Sequence, residues 1–181
     1  QSLFENIVRK TEVDFNGHVS TGVLGIQHLM RGLTEYGNVD LAYKIATNHT
    51  YPSWGYMIEN GATTVWELWN GNTANPSMNS QNHVMLLGDL VAWMYEDVAG
   101  IKTQCDMNGN YRIIMKPSLS KQLSFAEAST EIPYGKVSSS WKVQNDIFSW
   151  EIQIPENTEA QVYIPANSLK NITESGKPVS S

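Results

Sequence analysis

The sequence predicts an all-α part followed by an all-β, antiparallel, sandwich-like part. Two observations carry that expectation. Apolar residues recur at helical spacing up to about Gly100 and alternate with polar residues beyond it, so the period falls from about 3.6 to about 2. Turn signals then become frequent: Asn108-Gly109, Pro133-Tyr134-Gly135 and Pro155-Glu156-Asn157 separate short β-branched and aromatic runs. The expected division is residues 1–100 and 101–181.

Leu3, Phe4, Ile7 and Val8 form a short helical stripe. Ser20 is placed to cap a helix whose broad apolar face is Val23, Leu24, Ile26, Leu29, Met30 and Leu33, with Gly37 as its stop. Asp40 is placed to cap the next, in which Leu41, Ala42, Ile45 and Ala46 are apolar. Pro52-Ser53 opens a short helix through Glu59, ended by Gly61. Residues 70–80 are rich in Asn, Gly, Ser and Pro and read as loop. A long helix is expected from Gln81 to Val98, burying Val84, Leu87, Val91, Met94 and Val98. Strands are expected at Tyr111–Met115, Ser124–Thr130, Gly135–Lys142, Ile147–Ile154 and Ala160–Ile164. Trp141, Val143, Phe148, Trp150, Ile152 and Ile154 alternate with polar residues, as in a half-buried antiparallel sheet.

Four or five helices with wide apolar faces need partners. Either they pack as a small bundle or they form a sector of a larger helical toroid. Loops carrying aromatic and polar groups point to a cleft and favour the toroid. Gln1 enters in mid-pattern without a methionine, so the chain reads as a piece of something longer.

Hydrophobic residues make up 41% of the 181, enough for a real core. A net charge of −6 argues against nucleic acid and against an anionic membrane surface. No apolar run approaches the roughly 20 residues of a membrane helix; the best, Val84 to Trp93, is broken by Asp89. Cys105 is alone, which excludes an internal disulfide and a thiolate metal cage. His18 and His28 lack metal spacing, and there is no phosphate-cradling glycine loop or Gly-x-Ser-x-Gly elbow. Neither a metal nor a cofactor is expected.

The stretch Gly61-Ala62-Thr63-Thr64-Val65-Trp66-Glu67-Leu68-Trp69 places one carboxylate between two indoles in a run otherwise free of charge. Carboxylates set against aromatic faces are how proteins grip a sugar and work at its anomeric carbon. Glu67 reads either as a general base aimed at a water or as a structural carboxylate taking backbone N–H bonds or an Arg. Three of the six tryptophans, Trp54, Trp66 and Trp69, lie close by in sequence and favour chemistry. Glu59 and Asp89 are weaker candidates, as surface or capping groups. His83, at the start of the long helix, reads as a plain helix-start residue or as a donor to a sugar hydroxyl. Glycoside hydrolysis normally takes two carboxylates, and this chain offers one convincing candidate.

At these residues a family becomes recognisable. Gly17-His18-Val19-Ser20-Thr21-Gly22, Glu35-Tyr36-Gly37, Asp40-Leu41-Ala42-Tyr43, Tyr51-Pro52-Ser53-Trp54, Gly61 through Glu67, Ser77-Met78-Asn79 and Val98-Ala99-Gly100-Ile101 occur in the order seen in bacterial α-L-rhamnosidases of glycoside hydrolase family 78. The β part resembles that family's C-terminal β-sandwich by position and strand pattern. The resemblance implies that residues 1–100 are the last helices of an (α/α)6 catalytic barrel. It also implies inverting hydrolysis of terminal α-L-rhamnosides, with Glu67 as general base, His83 as a sugar contact and Trp66 and Trp69 shaping the pocket wall. Leu68 stands where the family pattern has Arg, and the acidic motif carrying the family's general acid is not in this chain. The expected ligand is a rhamnose-containing glycoside. Alone, the chain is expected to be inactive and to self-associate through exposed apolar helix faces. The competing readings are a non-catalytic carbohydrate-binding module and a domain with no ligand at all.

Overall fold

Five α-helices precede eight strands in the computed structural model, which describes residues 2–179. Gln1, Ser180 and Ser181, at the ends of the two expected parts, lie outside the described residues. Helix α1 (Leu3–Arg9) opens with a reciprocal cap: Ser2 Oγ accepts from the Glu5 N–H, and the Glu5 carboxylate accepts from the Ser2 N–H. A widened, π-type turn, Lys10–Asp14, extends it. Helix α2 (Ile26–Glu35) starts later than a Ser20 cap implies. Gly22 accepts the N–H groups of both Gly25 and Ile26, which turns the chain just before the helix and leaves Leu24 71% exposed.

Helix α3 (Val39–Thr47) has Asp40 inside its first turn rather than at its cap. The Asp40 carboxylate accepts from the Ser120 hydroxyl, and its carbonyl accepts from Gln122 Nε2 at 2.9 Å. Helix α4 (Trp54–Glu59) is capped by Ser53, whose Oγ accepts from the Tyr56 N–H at 2.9 Å. Helix α5 (Val84–Trp93) continues as a π-type turn, Met94–Val98.

Helix α5 departs from the sequence expectation in two ways. Gln81 to His83 are not helical. They are drawn out by bonds to the Glu67 segment, described below. The expected buried stripe also faces outward: Val84 is 74% exposed, Leu87 45%, Val91 39% and Met94 45%, and only Val98 of that set is buried. Apart from Asp89 the helix has no charged residue, so apolar spacing alone does not determine its orientation. Leu86 and Trp93 face the core, which also takes Ile26, Met30, Leu33, Ile45, Trp54, Met57 and Trp66.

Strands β1 (Ile101–Cys105) and β2 (Tyr111–Met115) form an antiparallel hairpin, with β6 (Ala160–Val162) on the far side of β2. Strands β3 (Phe125–Ile132), β4 (Gly135–Gln144) and β5 (Ile147–Gln153) form an antiparallel meander. Asn145-Asp146 joins β4 to β5 with φ of 52° and 60°, the conformation of a two-residue type I′ turn. Strands β7 (Thr173–Glu174) and β8 (Lys177–Pro178) make a short hairpin. The all-antiparallel expectation fails at one pair, since β6 runs parallel to β2. A parallel neighbour needs a long crossover, and the whole β3–β5 meander is inserted between the two. Ile101, Ile113 and Met115 from one sheet and Ile132 and Val137 from the other share a small core. The predicted alternation in β4 and β5 is observed: Trp141 pairs with Trp150 and Val143 with Phe148, and this aromatic face packs on the helical core.

The helical and β parts are joined by bonds as well as by packing. Trp141 Nε1–H donates to the Val98 carbonyl at 2.8 Å, and Ser139 Oγ–H donates to the Ala99 carbonyl at 2.6 Å. Asp97, 3% exposed, receives Lys102 Nζ at 3.0 Å. Between them Gly100 turns with φ of +78°, and a Cβ there would sit 2.3 Å from the Pro117 nitrogen, so only glycine fits. Among the described residues no helix is long and apolar enough to cross a membrane, and no cluster of His, Cys, Asp and Glu is suited to a metal ion.

Candidate active site

Glu67 sits in the long connection between α4 and α5, where residues 64–67 run beside residues 80–83. The Glu67 N–H donates to the Ser80 carbonyl at 2.8 Å, and the His83 N–H donates to the Val65 carbonyl at 2.8 Å. The Thr64 hydroxyl donates to the Gln81 carbonyl. This pairing is what straightens Gln81–His83 and delays the start of α5. It brings together two residues that lie sixteen positions apart in the chain: His83 Nε2 is 4.0 Å from Glu67 Oε1.

Among the described residues, the carboxylate is hydrogen-bonded on one side only. Glu67 Oε2 accepts the Ser80 N–H at 3.0 Å, and the side chain keeps 37% of its surface exposed. His83 Nδ1 is buried without a hydrogen-bond partner among the described residues, while Nε2 faces the carboxylate. The pair therefore offers one fixed carboxylate oxygen, one open carboxylate oxygen and an imidazole edge beside it. Such a set suits proton abstraction from a bound water or a polar grip on a hydroxyl-rich ligand.

The tryptophans lie beneath this pair. Trp66 is 4% exposed, and a Cβ on Gly71 would meet its ring at 2.7 Å, so the loop folds directly over the indole. Trp69 Nε1–H donates to the Thr21 carbonyl at 2.8 Å, and its ring meets Trp54 edge-on at 5.1 Å. Trp54 Nε1–H donates to the Leu86 carbonyl at 3.2 Å, anchoring α4 to the first turn of α5. Trp66 and Trp69 thus brace the loop that presents Glu67.

The other carboxylates stand apart from the pair. Glu59 is exposed, with His49 Nδ1 at 3.2 Å, as a surface group. Asp89 lies on α5; burial pushes its carboxyl up, while Arg31 and His28 pull it down. Residues the sequence reading passed over are Asn79 and Ser80. Asn79 Oδ1 accepts the Leu68 N–H at 3.2 Å, and its Nδ2–H donates to the Gly71 carbonyl at 3.3 Å. The available signal was an asparagine-rich loop facing a lone acid, since Asn side chains commonly bond nearby backbone.

With this geometry in hand, comparison with known proteins defines the class. The family model of the bacterial alpha-L-rhamnosidase 6 hairpin glycosidase domain matches residues 4–98, and that of the bacterial alpha-L-rhamnosidase C-terminal domain matches residues 100–178. The chain belongs to the bacterial alpha-L-rhamnosidase family. It is 40% identical over 178 residues to an alpha-L-rhamnosidase of Formosa agariphila, covering 95% of this chain and 18% of that protein. It is also 40% identical over 155 residues to an alpha-L-rhamnosidase of an Alteromonas species, covering 83% of this chain and 16% of the relative. Among solved structures, the alpha-L-rhamnosidase of Dictyoglumus thermophilum superposes with a TM-score of 0.81 at 35% identity, covering 91% of this chain and 18% of that one. The Streptomyces avermitilis alpha-L-rhamnosidase complexed with L-rhamnose gives a TM-score of 0.81 at 34% identity, covering 91% and 16%. The chain thus spans less than a fifth of the length of these relatives.

Proposed function

We propose that this chain is part of an inverting glycoside hydrolase that removes terminal α-L-rhamnose from rhamnosides, and that Glu67 is its general base. The observation that carries the reading is the Glu67 carboxylate, anchored at Oε2 by a main-chain N–H and open at Oε1 beside His83. A carboxylate fixed in this way takes a proton from water without first reorganising. In an inverting enzyme the acid and base stand roughly 6.5–9.5 Å apart, with the attacking water on the side of the base. The acid, which protonates the leaving oxygen, comes from a segment of the whole enzyme outside this chain. His83 contacts the sugar through Nε2, and Trp66 and Trp69 shape the wall from beneath. Family membership and the L-rhamnose bound to the Streptomyces relative support a rhamnoside as the substrate.

The same reading makes the helices a sector of an (α/α)6 barrel and residues 101–181 a separate C-terminal β-sandwich domain. The matched domain is described as having six hairpins, whereas the described residues hold five α-helices, and α5 carries an uncovered apolar face. That face belongs against the remaining hairpins. In the isolated chain it drives self-association. A non-catalytic sugar-binding module is less well supported, because Trp54 and Trp66 are 5% and 4% exposed and present no stacking platform.

The test is Glu67→Gln in the full-length enzyme with a nitrophenyl rhamnoside. Loss of a general base lowers kcat by about 10²–10⁴-fold, with little change in KM. A variant that keeps kcat within a factor of about three removes Glu67 from the chemistry.

A further inference from the structure

We propose that Asn79 is a positioning residue for Glu67. This deepens the reading of Glu67 as general base and rests on it. The Asn79-Ser80 dipeptide clamps the Glu67-Leu68 dipeptide from the facing segment. Ser80 contributes its backbone: its carbonyl accepts the Glu67 N–H at 2.8 Å, and its N–H donates to Glu67 Oε2 at 3.0 Å. Asn79 contributes its side chain: Oδ1 accepts the Leu68 N–H at 3.2 Å, and Nδ2–H donates to the Gly71 carbonyl at 3.3 Å.

The fourfold clamp has a chemical requirement that only an amide meets. One short side chain must supply an acceptor to the residue after the acid and a donor to a carbonyl three residues further on. Asp lacks the donor and Ala lacks both groups. The far end of the loop cannot shift to compensate, because Gly71 already rests on the buried Trp66 ring. Asn79 does not touch the carboxylate itself; releasing it frees the backbone segment that carries Glu67, while the Ser80 N–H bond to Oε2 remains. Glu67 then samples orientations in which Oε1 no longer meets the attacking water. Binding of the sugar, which depends on the remainder of the cleft, is unaffected.

The experiment uses the full-length enzyme, with Asn79→Ala made alone and together with Glu67→Gln. Displacing a reacting group by about 1 Å costs up to about 10²-fold, so Asn79→Ala should lower kcat by roughly 10- to 100-fold with KM within about twofold. In the Glu67→Gln background the same substitution should lower the residual rate by less than about twofold, because a residue acting through Glu67 has nothing left to position. If Asn79→Ala does not fold, Asn79→Asp is measured in both backgrounds; it keeps the acceptor for Leu68 and should give a smaller kcat loss that also disappears beside Glu67→Gln. An unchanged kcat, a loss confined to KM, or an equal loss in both backgrounds overturns the proposal while leaving Glu67 as base. If Glu67→Gln itself retains kcat, the reading of Glu67 fails, and this proposal with it.

Discussion

The Trp141 indole N–H and the Val98 carbonyl meet at 2.8 Å where the helical part passes into the β part, and both residues are buried. Val98 closes the turn after α5, while Trp141 lies mid-strand in β4. The same Trp141 ring belongs to the helical core cluster, so the two parts share apolar contacts as well as this bond. Trp141→Phe keeps a six-membered aromatic ring but removes the indole N–H with the pyrrole atoms around it, leaving a buried carbonyl unsatisfied. The expected cost is about 1–3 kcal/mol, read as a lower urea midpoint for the 181-residue chain. Near-UV and far-UV signals should fall together, because the shared core couples both parts. Two separated transitions would show that the junction does not couple them.

A second prediction concerns the ion pair that straddles this junction. Asp97 is almost wholly buried, and its one ionic partner among the described residues is Lys102, at 3.0 Å. Asp97 Oδ2 has no hydrogen-bond partner among the described residues. Lys102→Met preserves the aliphatic stem but leaves a buried carboxylate without a countercharge. Breaking such a pair from one side costs about 3 kcal/mol or more. The double variant with Asp97→Asn should recover over half of that loss, since the desolvation penalty goes with the charge. Equal destabilisation of single and double variants would mean that packing, rather than charge, is what Lys102 supplies.

Much of this architecture is legible in the sequence, and the exceptions have physical causes. Pro52-Ser53 and Gly61 bracket α4, and Pro133-Tyr134-Gly135 marks the turn between β3 and β4, because side-chain-to-backbone bonds and positive-φ turns are local properties. Strand β1 was missed because Ile101 is its one buried residue and the rest of it is polar or exposed. The face of α5 was misassigned because a helix with one charged residue carries little phase information. At the site, Glu67 and His83 stand out in the sequence as candidates, but their proximity does not. It depends on a backbone ladder between 64–67 and 80–83, and the helical pattern of Gln81–Val98 concealed the extended start. Asn79 stands in a quoted motif, but its contacts are not readable from it, since they exist only once that ladder brings Leu68 and Gly71 within reach.

Tyr43 supplies a pH dependence with a definite sign. Its hydroxyl is buried without a hydrogen-bond partner among the described residues, and burial, reinforced by Asp40 and Asp97, pushes its pKa up to about 12 from 10.0. The folded state therefore keeps this proton while the unfolded chain loses it. The associated stability is fully present below about pH 10 and is lost as pH rises through about 12. The Tyr43→Phe variant should have a flatter stability profile across that window, differing from the parent by on the order of 2 kcal/mol at the alkaline end. At neutral pH it should be as stable as the parent or slightly more so, because the lost hydroxyl satisfied nothing. Parallel profiles for the two proteins would show that Tyr43 ionises as freely folded as unfolded.

The outward stripe of α5 leads to the last prediction. Val84, Leu87, Val91 and Met94 lie on the solvent side of a helix whose other side is anchored by Leu86 and Trp93. Water is a poor neighbour for such a row, and one methylene moved out of water is worth about 0.8 kcal/mol. Two copies of the chain therefore gain by burying these rows against one another. Leu87→Glu with Val91→Glu places like charges on the row without touching the core-facing residues. Sedimentation velocity should show the parent chain associating at micromolar concentrations and the variant staying monomeric, with the same helical circular dichroism. In the full-length enzyme, where the proposed barrel covers this face, the same two substitutions should instead destabilise the catalytic domain by several kcal/mol, as buried charges without partners do. A variant that is harmless in both settings would mean that the row faces solvent in the whole protein as well, and the helical sector would then be a bundle complete in itself.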